Sequence, residues 1–578
     1  VSGGLYRSAN ATPPGIQPPV DGAIFISADP LNQPAVESTA PPTEQVAEGS
    51  AAANSAVMAI ISVVSRGIGF VRNLMITAAL GTAAIGDAYT SALFIPQTVY
   101  ELLLGGILSS VLVPVLVRRR HVDSDRGEAY AQRLLSLAVL TLGVATLLAV
   151  LAAPLLTWIY AGGRGEAYGD LVTALSRLLL PILFFSGLSA LITAVLNTRG
   201  HFAAPMWSPI LNNLVIIATA GLYIALYGTR IVQPEQMSVG QILLVGGGTL
   251  LGIAAQATGL LMALRKVDFR WRWRFDFRAL GLGELGRLGG WMFCYVGVNS
   301  IGFIVLLNLL NRVDDKSAGA IIYNNVFLLL MTAHGIIAVS IITALMPRMS
   351  AAAAAGRYQD LAADLTQGIR TVTAVLAPIA VCYAVLAEPI AFALFNYGAA
   401  QGRSGTITPV LLVASLALVP FAISQLCTFA FYALADTRTP ALINIPVVVL
   451  RLFLQVGVSF ALSTSFLAAG MMIGNGVSYL VAAVISAWLL RARIGRLGLT
   501  ATVRNFSKVL AAALGAALVG LLVVRLLPDT ANGNQVLAVI VVLVGGAVIG
   551  GTYVALAMAL RIREITEVMR LVWRKLGR

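Results

Sequence analysis

Charge is scarce in this chain. Only 11% of its 578 residues are Asp, Glu, Lys or Arg, against 58% hydrophobic residues, whereas soluble domains carry about 25% charged residues. Two to four soluble domains of this composition would have no polar surface for water, so that organisation is excluded. Cysteine is also scarce. Cys294, Cys382 and Cys427 all lie in apolar runs, with no CxxC spacing and no His/Cys cluster, which excludes a disulfide framework and a zinc site. No P-loop occurs, so the chain carries no sign of an ATP motor. The acidic residues are scattered and form no paired-carboxylate constellation, so neither an enzyme nor a cofactor is expected. The apolar runs do not alternate as barrel strands do. What remains is an all-α polytopic membrane protein, because lipid tolerates only helices or closed barrels.

A span needs roughly 20 apolar residues. Fourteen runs qualify, at about 54–80, 89–117, 134–161, 170–197, 207–228, 239–264, 288–311, 318–346, 371–395, 407–433, 440–463, 466–490, 507–527 and 535–560. If the first span starts in the cytoplasm, the inside connections and C-terminal tail hold 28 basic residues and the outside connections 6. This bias follows the positive-inside rule and places both termini in the cytoplasm of a multi-pass cell-membrane protein. The net charge of +14 therefore reflects membrane loops rather than nucleic acid.

Residues 1–50 hold eight prolines and a single basic residue, Arg7. They are expected to form a disordered cytoplasmic tail, and they lack the basic start and apolar core of a signal peptide. The run Arg270-Trp-Arg-Trp-Arg-Phe-Asp-Phe-Arg278 alternates cation and ring. It could stack nucleic-acid bases, but it fits better as a segment at the headgroup level, with rings in the interface and guanidiniums on anionic lipid. Thr198-Arg199 recurs as Thr437-Arg438, Pro205 as Pro440 and Pro114 as Pro347, each 233 to 239 positions apart. The expected organisation is a lobe of spans 1–6 at 54–264, a basic and aromatic linker at 265–287, and a second six-helix lobe at 288–490. An appended pair at 507–560 and a basic cytoplasmic tail at 561–578 complete it.

Charges inside spans are costly and usually face a cavity or a partner. In the first span Arg66 follows Ser65, and Arg72 lies six residues on. That is about 9 Å along a helix with some 120° between the side chains, from which long guanidiniums can reach one cavity. Arginine grips phosphate bidentately, so an anionic cargo is favoured, against snorkelling or pairing with Asp87 or Glu101 of the second span. Arg451, in the middle of span 11, is either a cavity cation or a structural ion-pair partner. Arg177 and Glu388 lie near span ends, where snorkelling suffices, and His334 reads as packing or cavity lining.

At these residues the chain resembles the MurJ (MviN) family of lipid II flippases, within the multidrug/oligosaccharidyl-lipid/polysaccharide exporter superfamily. The resemblance rests on Ser65-Arg66, Gly69-Phe70-x-Arg72, Asp87-Ala88 with Pro96, Gly106, Val113-Pro114, and Leu196-Asn197-Thr198 with Pro205 and Pro209. Leu345-Met346-Pro347, Leu394-Phe395-x-Tyr397-Gly398, and Phe431-Tyr432 with Asp436 and Thr439-Pro440 extend it. It implies fourteen spans, a cationic cavity between two lobes for a diphosphate-sugar headgroup, and a groove for the polyprenyl tail along the terminal pair. It also implies substrate contact for Arg66, Arg72 and neighbouring Ser65, and a functional role for Asp87.

Several positions depart from the family. Asn73 stands where an Asp is usual, Tyr100-Glu101 where an arginine pair is usual, Gly105 where an acid is usual, and Phe327-Leu328 where Asp-Arg is usual. Arg451 is the residue expected to supply part of the missing positive charge, with Glu101 a further candidate contact. The implied activity is alternating-access flipping of lipid II or a related polyprenyl-diphosphate saccharide, coupled to membrane potential or ions. The alternatives are export of another polyprenyl-linked saccharide, drug export, and a scaffold for cell-wall synthesis proteins.

Overall fold

The computed structural model describes residue 61 and residues 64–105, 115–116, 119–120, 123–230, 233–267, 269–280, 282–313, 319–495, 499–527 and 534–566. The expected tail 1–50, Gly106, Val113-Pro114 and the end of the basic tail lie outside them. All regular structure among the described residues is helical. Helix α1 covers 64–80, and α2 (Ala84–Tyr100) continues into a π-helical turn at Glu101–Gly105. Then come α3 (Glu128–Leu151), α4 (Ala153–Ala161), α5 (Glu166–Leu179), α6 (Ile182–Thr198), α7 (Ala203–Tyr227) and α8 (Val239–Arg265). The second half contains α9 (Leu282–Leu310), α10 (Ala320–Ala354), α11 (Tyr358–Val385), α12 (Ala387–Phe395), α13 (Thr408–Ala433), α14 (Arg438–Ala461) and α15 (Leu467–Ile494). The last two are α16 (Leu499–Leu526) and α17 (Gln535–Ala559).

Twelve described helical segments are long and apolar enough to cross a membrane. They correspond in order to the third through fourteenth expected spans, while the first two expected spans fall partly on residues outside the description. Among the described residues, three of the expected spans are not single helices. The third breaks at Ala152, with Pro154 opening α4, and the fourth breaks at Leu180-Pro181. Proline lacks the N–H that would continue a helix but suits a first turn. The ninth breaks at Leu386, and its first part, α11, starts at Tyr358, well before the expected position 371.

Helices α2 to α8 pack on one another, as do α9 to α15. Helices α16 and α17 pair together and lie on α11 and α12. The two groups meet where α2 contacts α10 and where α4 contacts α9. Without a hydrophobic driving force between helices in lipid, close approach at small residues carries such packing. Between α7 and α8, for example, Gly248 fits against Thr219 and Gly252 against Asn212, and a Cβ at either glycine would collide. The outer surface is apolar, with Phe453 75% and Phe460 87% exposed, which suits lipid and not water.

Polar contacts tie the connections together at each end. At the basic end Arg120 donates to the Thr198 carbonyl, Arg199 to the Val267 carbonyl, and Arg493 pairs with Asp436. The 269–276 arm runs along α3. Arg133 pairs with Asp276 at 2.6 Å, Gln132 donates to the Arg270 carbonyl at 2.7 Å, and the Arg274 amide donates to the Ser136 hydroxyl at 3.1 Å. The Arg133 hydrogen bond holds the Asp276 carboxyl below its ordinary value. Trp273 and Phe275 stack outward at 6.2 Å.

Candidate functional site

A cavity of about 410 Å³ lies between the two groups of helices. Helix α2 contributes Phe94, Gln97 and Thr98, and the π turn contributes Glu101. Facing them are Asn299 and Phe303 of α9, Tyr323 and Phe327 of α10, Arg451 of α14, and Asn475 and Tyr479 of α15. Glu101 opens the π turn five residues after Pro96, which leaves a backbone carbonyl without its usual helical donor; π turns of this kind recur at functional sites. Phe94 meets Phe303 edge-on at 4.9 Å across the seam.

The Arg451 guanidinium lies over Gly302 of α9, which has no Cβ to block it. No carboxylate among the described residues stands within ion-pair distance of Arg451. A smaller cavity of about 150 Å³ inside the second group also touches Arg451, so this cation stands between two spaces. One turn further along α14, Gln455 donates to Asn475 at 3.1 Å, and Asn475 donates to the Tyr323 hydroxyl at 2.5 Å. Gln455 is completely buried and Asn475 nearly so. This chain of buried amides forms the wall behind Arg451, with Oε1 of Gln455 left buried and without a hydrogen-bond partner among the described residues.

At the end opposite the basic connections the seam is closed. Asp87, fully buried in the first turn of α2, accepts the Arg164 guanidinium at 2.6 Å and the Ile321 amide at 2.9 Å. Ile321 belongs to the first turn of α10, whose leading N–H groups have no intrahelical acceptors. A carboxylate from one group thus caps a helix of the other and faces its positive dipole end. Beside it Asn311 accepts hydrogen bonds from Tyr168 at 2.5 Å and Ser91 at 3.0 Å.

Helix α1 runs between the two groups. Asn73 donates to Asn325 of α10, and Asn325 donates to Thr77 at 3.0 Å. Arg72 donates to Asn213 of α7 at 3.1 Å, while the Arg66 guanidinium lies against Gly335 of α10. The two arginines thus face different helices. Gly335 is four residues from cavity-lining Met331, about one turn or 6 Å, on the side toward the basic end. Ser65 beside Arg66 is half-buried.

The structure brings Glu101 and Arg451 onto one cavity. It places Arg66 one turn outside that cavity, Arg72 on the first group, and Asp87 in the closure. His334 packs on Phe421 at 4.6 Å between ring centroids, and Arg177 and Glu388 are exposed. Sequence reasoning missed Arg164, counted only as a loop charge, and the buried amides Asn311, Asn325, Gln455 and Asn475. Their signal, polar side chains within apolar runs, was present. Among the described residues no three His, Cys, Asp or Glu side chains gather as a metal site requires.

The sequence matches the family described as Lipid II flippase MurJ over residues 76–562. The lipid II flippase MurJ of Burkholderia cenocepacia is 26% identical over 397 residues, covering 67% of this chain and 74% of the relative. Among solved structures, a lipid II flippase MurJ in an inward closed conformation superposes with a TM-score of 0.68 at 18% identity, covering 90% of this chain and all of that one. An inward-facing multidrug resistance MATE family transporter of the MOP superfamily superposes with a TM-score of 0.62 at 17% identity, covering 76% of this chain and 99% of that one.

Proposed function

The chain belongs to the lipid II flippase MurJ family, and from that premise we propose that it carries a polyprenyl-diphosphate saccharide, lipid II in the first place, across the bacterial cell membrane by alternating access. The observation that carries this reading is the interlobe cavity with an arginine that has no carboxylate partner among the described residues. Arg451 would receive the diphosphate, Arg66 would meet it one turn earlier on the way from the basic end, and Arg72 would join once the lobes shift.

The cavity suits only part of the cargo. About 410 Å³ matches a small drug-sized group, so a disaccharide-peptide headgroup enters only when the lobes part. With the closure at Asp87 intact and the basic end loosened, the cavity opens toward the cytoplasm, where both termini lie in this reading. Breaking the closure opens it outward. Crossing unaided would strand many polar groups in hydrocarbon, and the potential favours outward movement of an anion by about 2.3 kcal/mol per charge per 100 mV.

Glu101 gives the cavity a second sign and an acceptor for a donor on the headgroup. The polyprenyl tail would stay in lipid along α16 and α17, and the exposed rings and guanidiniums of the 269–276 arm would rest on anionic headgroups. The test is flipping of labelled lipid II by the purified chain in vesicles. The proposal expects protein-dependent exposure of the headgroup that falls on Arg451→Ala substitution; no protein-dependent exposure would leave a scaffolding role for wall-synthesis proteins instead.

A further inference from the structure

A second polar cavity lies away from the seam. It measures about 830 Å³ and sits at the basic end, between the first turns of α11, the end of α15 and the turn after α17. Arg370, Arg563, Glu564, Gln367, Thr366 and Thr371 line it. Nε of Arg370 and Oε2 of Glu564 are both buried and have no hydrogen-bond partner among the described residues, and the two side chains form no ion pair with each other. A buried donor and a buried acceptor left this way each cost free energy.

The chemistry of the walls defines what would satisfy them. Two guanidiniums call for an oxyanion, held best as a phosphate. The Glu564 carboxylate calls for a hydroxyl or ammonium donor on the same molecule. The volume is about twice that of the interlobe cavity, room for more than a bare phosphate. The position matters as well. The walls come from α11 and the end of α15 in the second lobe and from the segment following α17, and α17 itself already touches α11 where Tyr553 donates to the Ala374 carbonyl at 2.8 Å.

We propose that this cavity binds a phosphate ester bearing a hydroxyl or amine, and that the ligand ties the terminal helix pair to the second lobe. The inference stands apart from the cargo reading, since none of these residues touches the interlobe cavity. Either a soluble polyol phosphate or the headgroup of an anionic phospholipid has the required chemistry.

The test is thermal unfolding of the purified full chain, titrated in detergent with glycerol 3-phosphate or with inorganic phosphate, and separately measured in nanodiscs with and without phosphatidylglycerol. A ligand that binds only the folded state raises the melting temperature as its concentration passes its dissociation constant. Saturable stabilisation is expected, with Arg370→Gln and exposed Arg563→Gln each weakening it at least about tenfold, the loss of one charge-assisted hydrogen bond. Glu564→Gln should weaken glycerol phosphate but not inorganic phosphate. Stabilisation only in the nanodisc arm identifies the source as lipid. No saturable shift from either source, unchanged binding in both arginine variants, or loss of binding in Arg451→Gln instead would overturn the proposal.

Discussion

The seam between the lobes holds two kinds of charge. At its closed end, Asp87 and Arg164 are buried together, 2.6 Å apart, with the carboxylate also capping α10. At the cavity, Arg451 and Glu101 line the same space and form no ion pair, with each other or with any other described residue. Buried charge is tolerated when it is matched inside the protein. The first pair is matched within the first group, and its carboxylate reaches across to the Ile321 amide of the second, so it reads as structure, a clasp between lobes. The second is not, and a charge kept unmatched in a membrane protein usually serves something that passes through. Stability and transport should therefore separate along the seam.

The largest effect is expected at the clasp. Asp87→Ala removes one member of a buried pair, a change that costs about 3–5 kcal/mol, and should appear as a large drop in melting temperature of the detergent-solubilised protein. Asp87→Asn keeps an acceptor for the Ile321 amide and should lose less. If neither variant is destabilised, the contrast between the two ends fails.

Next comes Arg451. Replacing it with Ala should lower vesicle flipping roughly tenfold to a hundredfold, the size of a lost charged hydrogen bond, while the melting temperature stays close to wild type. A smaller effect is expected midway. Asn325→Ala leaves Asn73 and Thr77 without their cross-seam partner, at about 1–3 kcal/mol, and hydrogen exchange in α1 and the start of α10 should quicken.

The smallest effect lies off the seam and sharpens the contrast as a control. Asp436 caps the start of α14 through the Thr439 amide at 2.9 Å and hydroxyl at 2.6 Å, and it pairs with exposed Arg493. Burial alone would raise its pKa, but the Thr439 hydrogen bonds and Arg493 hold the carboxyl below its ordinary value. A depressed carboxyl contributes stability that is complete above its unfolded pKa, near 4, and is lost as pH falls through the folded value. The contribution of Asp436 should be constant from pH 7 to 5 and lost below about 4, so Asp436→Ala should be weaker than wild type by about 1 kcal/mol at pH 7 and the difference between the two should shrink as pH falls below about 4. Unfolding measured from pH 3 to 7 checks it.

Much of the helical layout was legible because apolar runs of this length have no other stable fate in lipid. The breaks were less legible. Pro154 and Pro181 were visible, yet a proline within an apolar run kinks one helix or starts another according to what packs around it, and the break at Leu386 carries no local signal beyond Pro389. The mid-span charges Arg451 and Glu101 stood out because charge in hydrocarbon is expensive. Their neighbours did not. Arg164 is 77 positions from Asp87, and neutral amides such as Asn325 and Gln455 carry too small a penalty to draw notice. The direction of Arg66 and Arg72 was the hardest to read, since a 120° separation suits one shared cavity and two different neighbours equally well.

The most direct measurement is the affinity of purified protein for a short-chain polyprenyl diphosphate, compared between wild type and Arg451→Gln under conditions where both stay folded. The account predicts at least about tenfold weaker binding in the variant with an unchanged melting temperature. Equal affinity in the two proteins, or a loss of stability as large as that of Asp87→Ala, would contradict it.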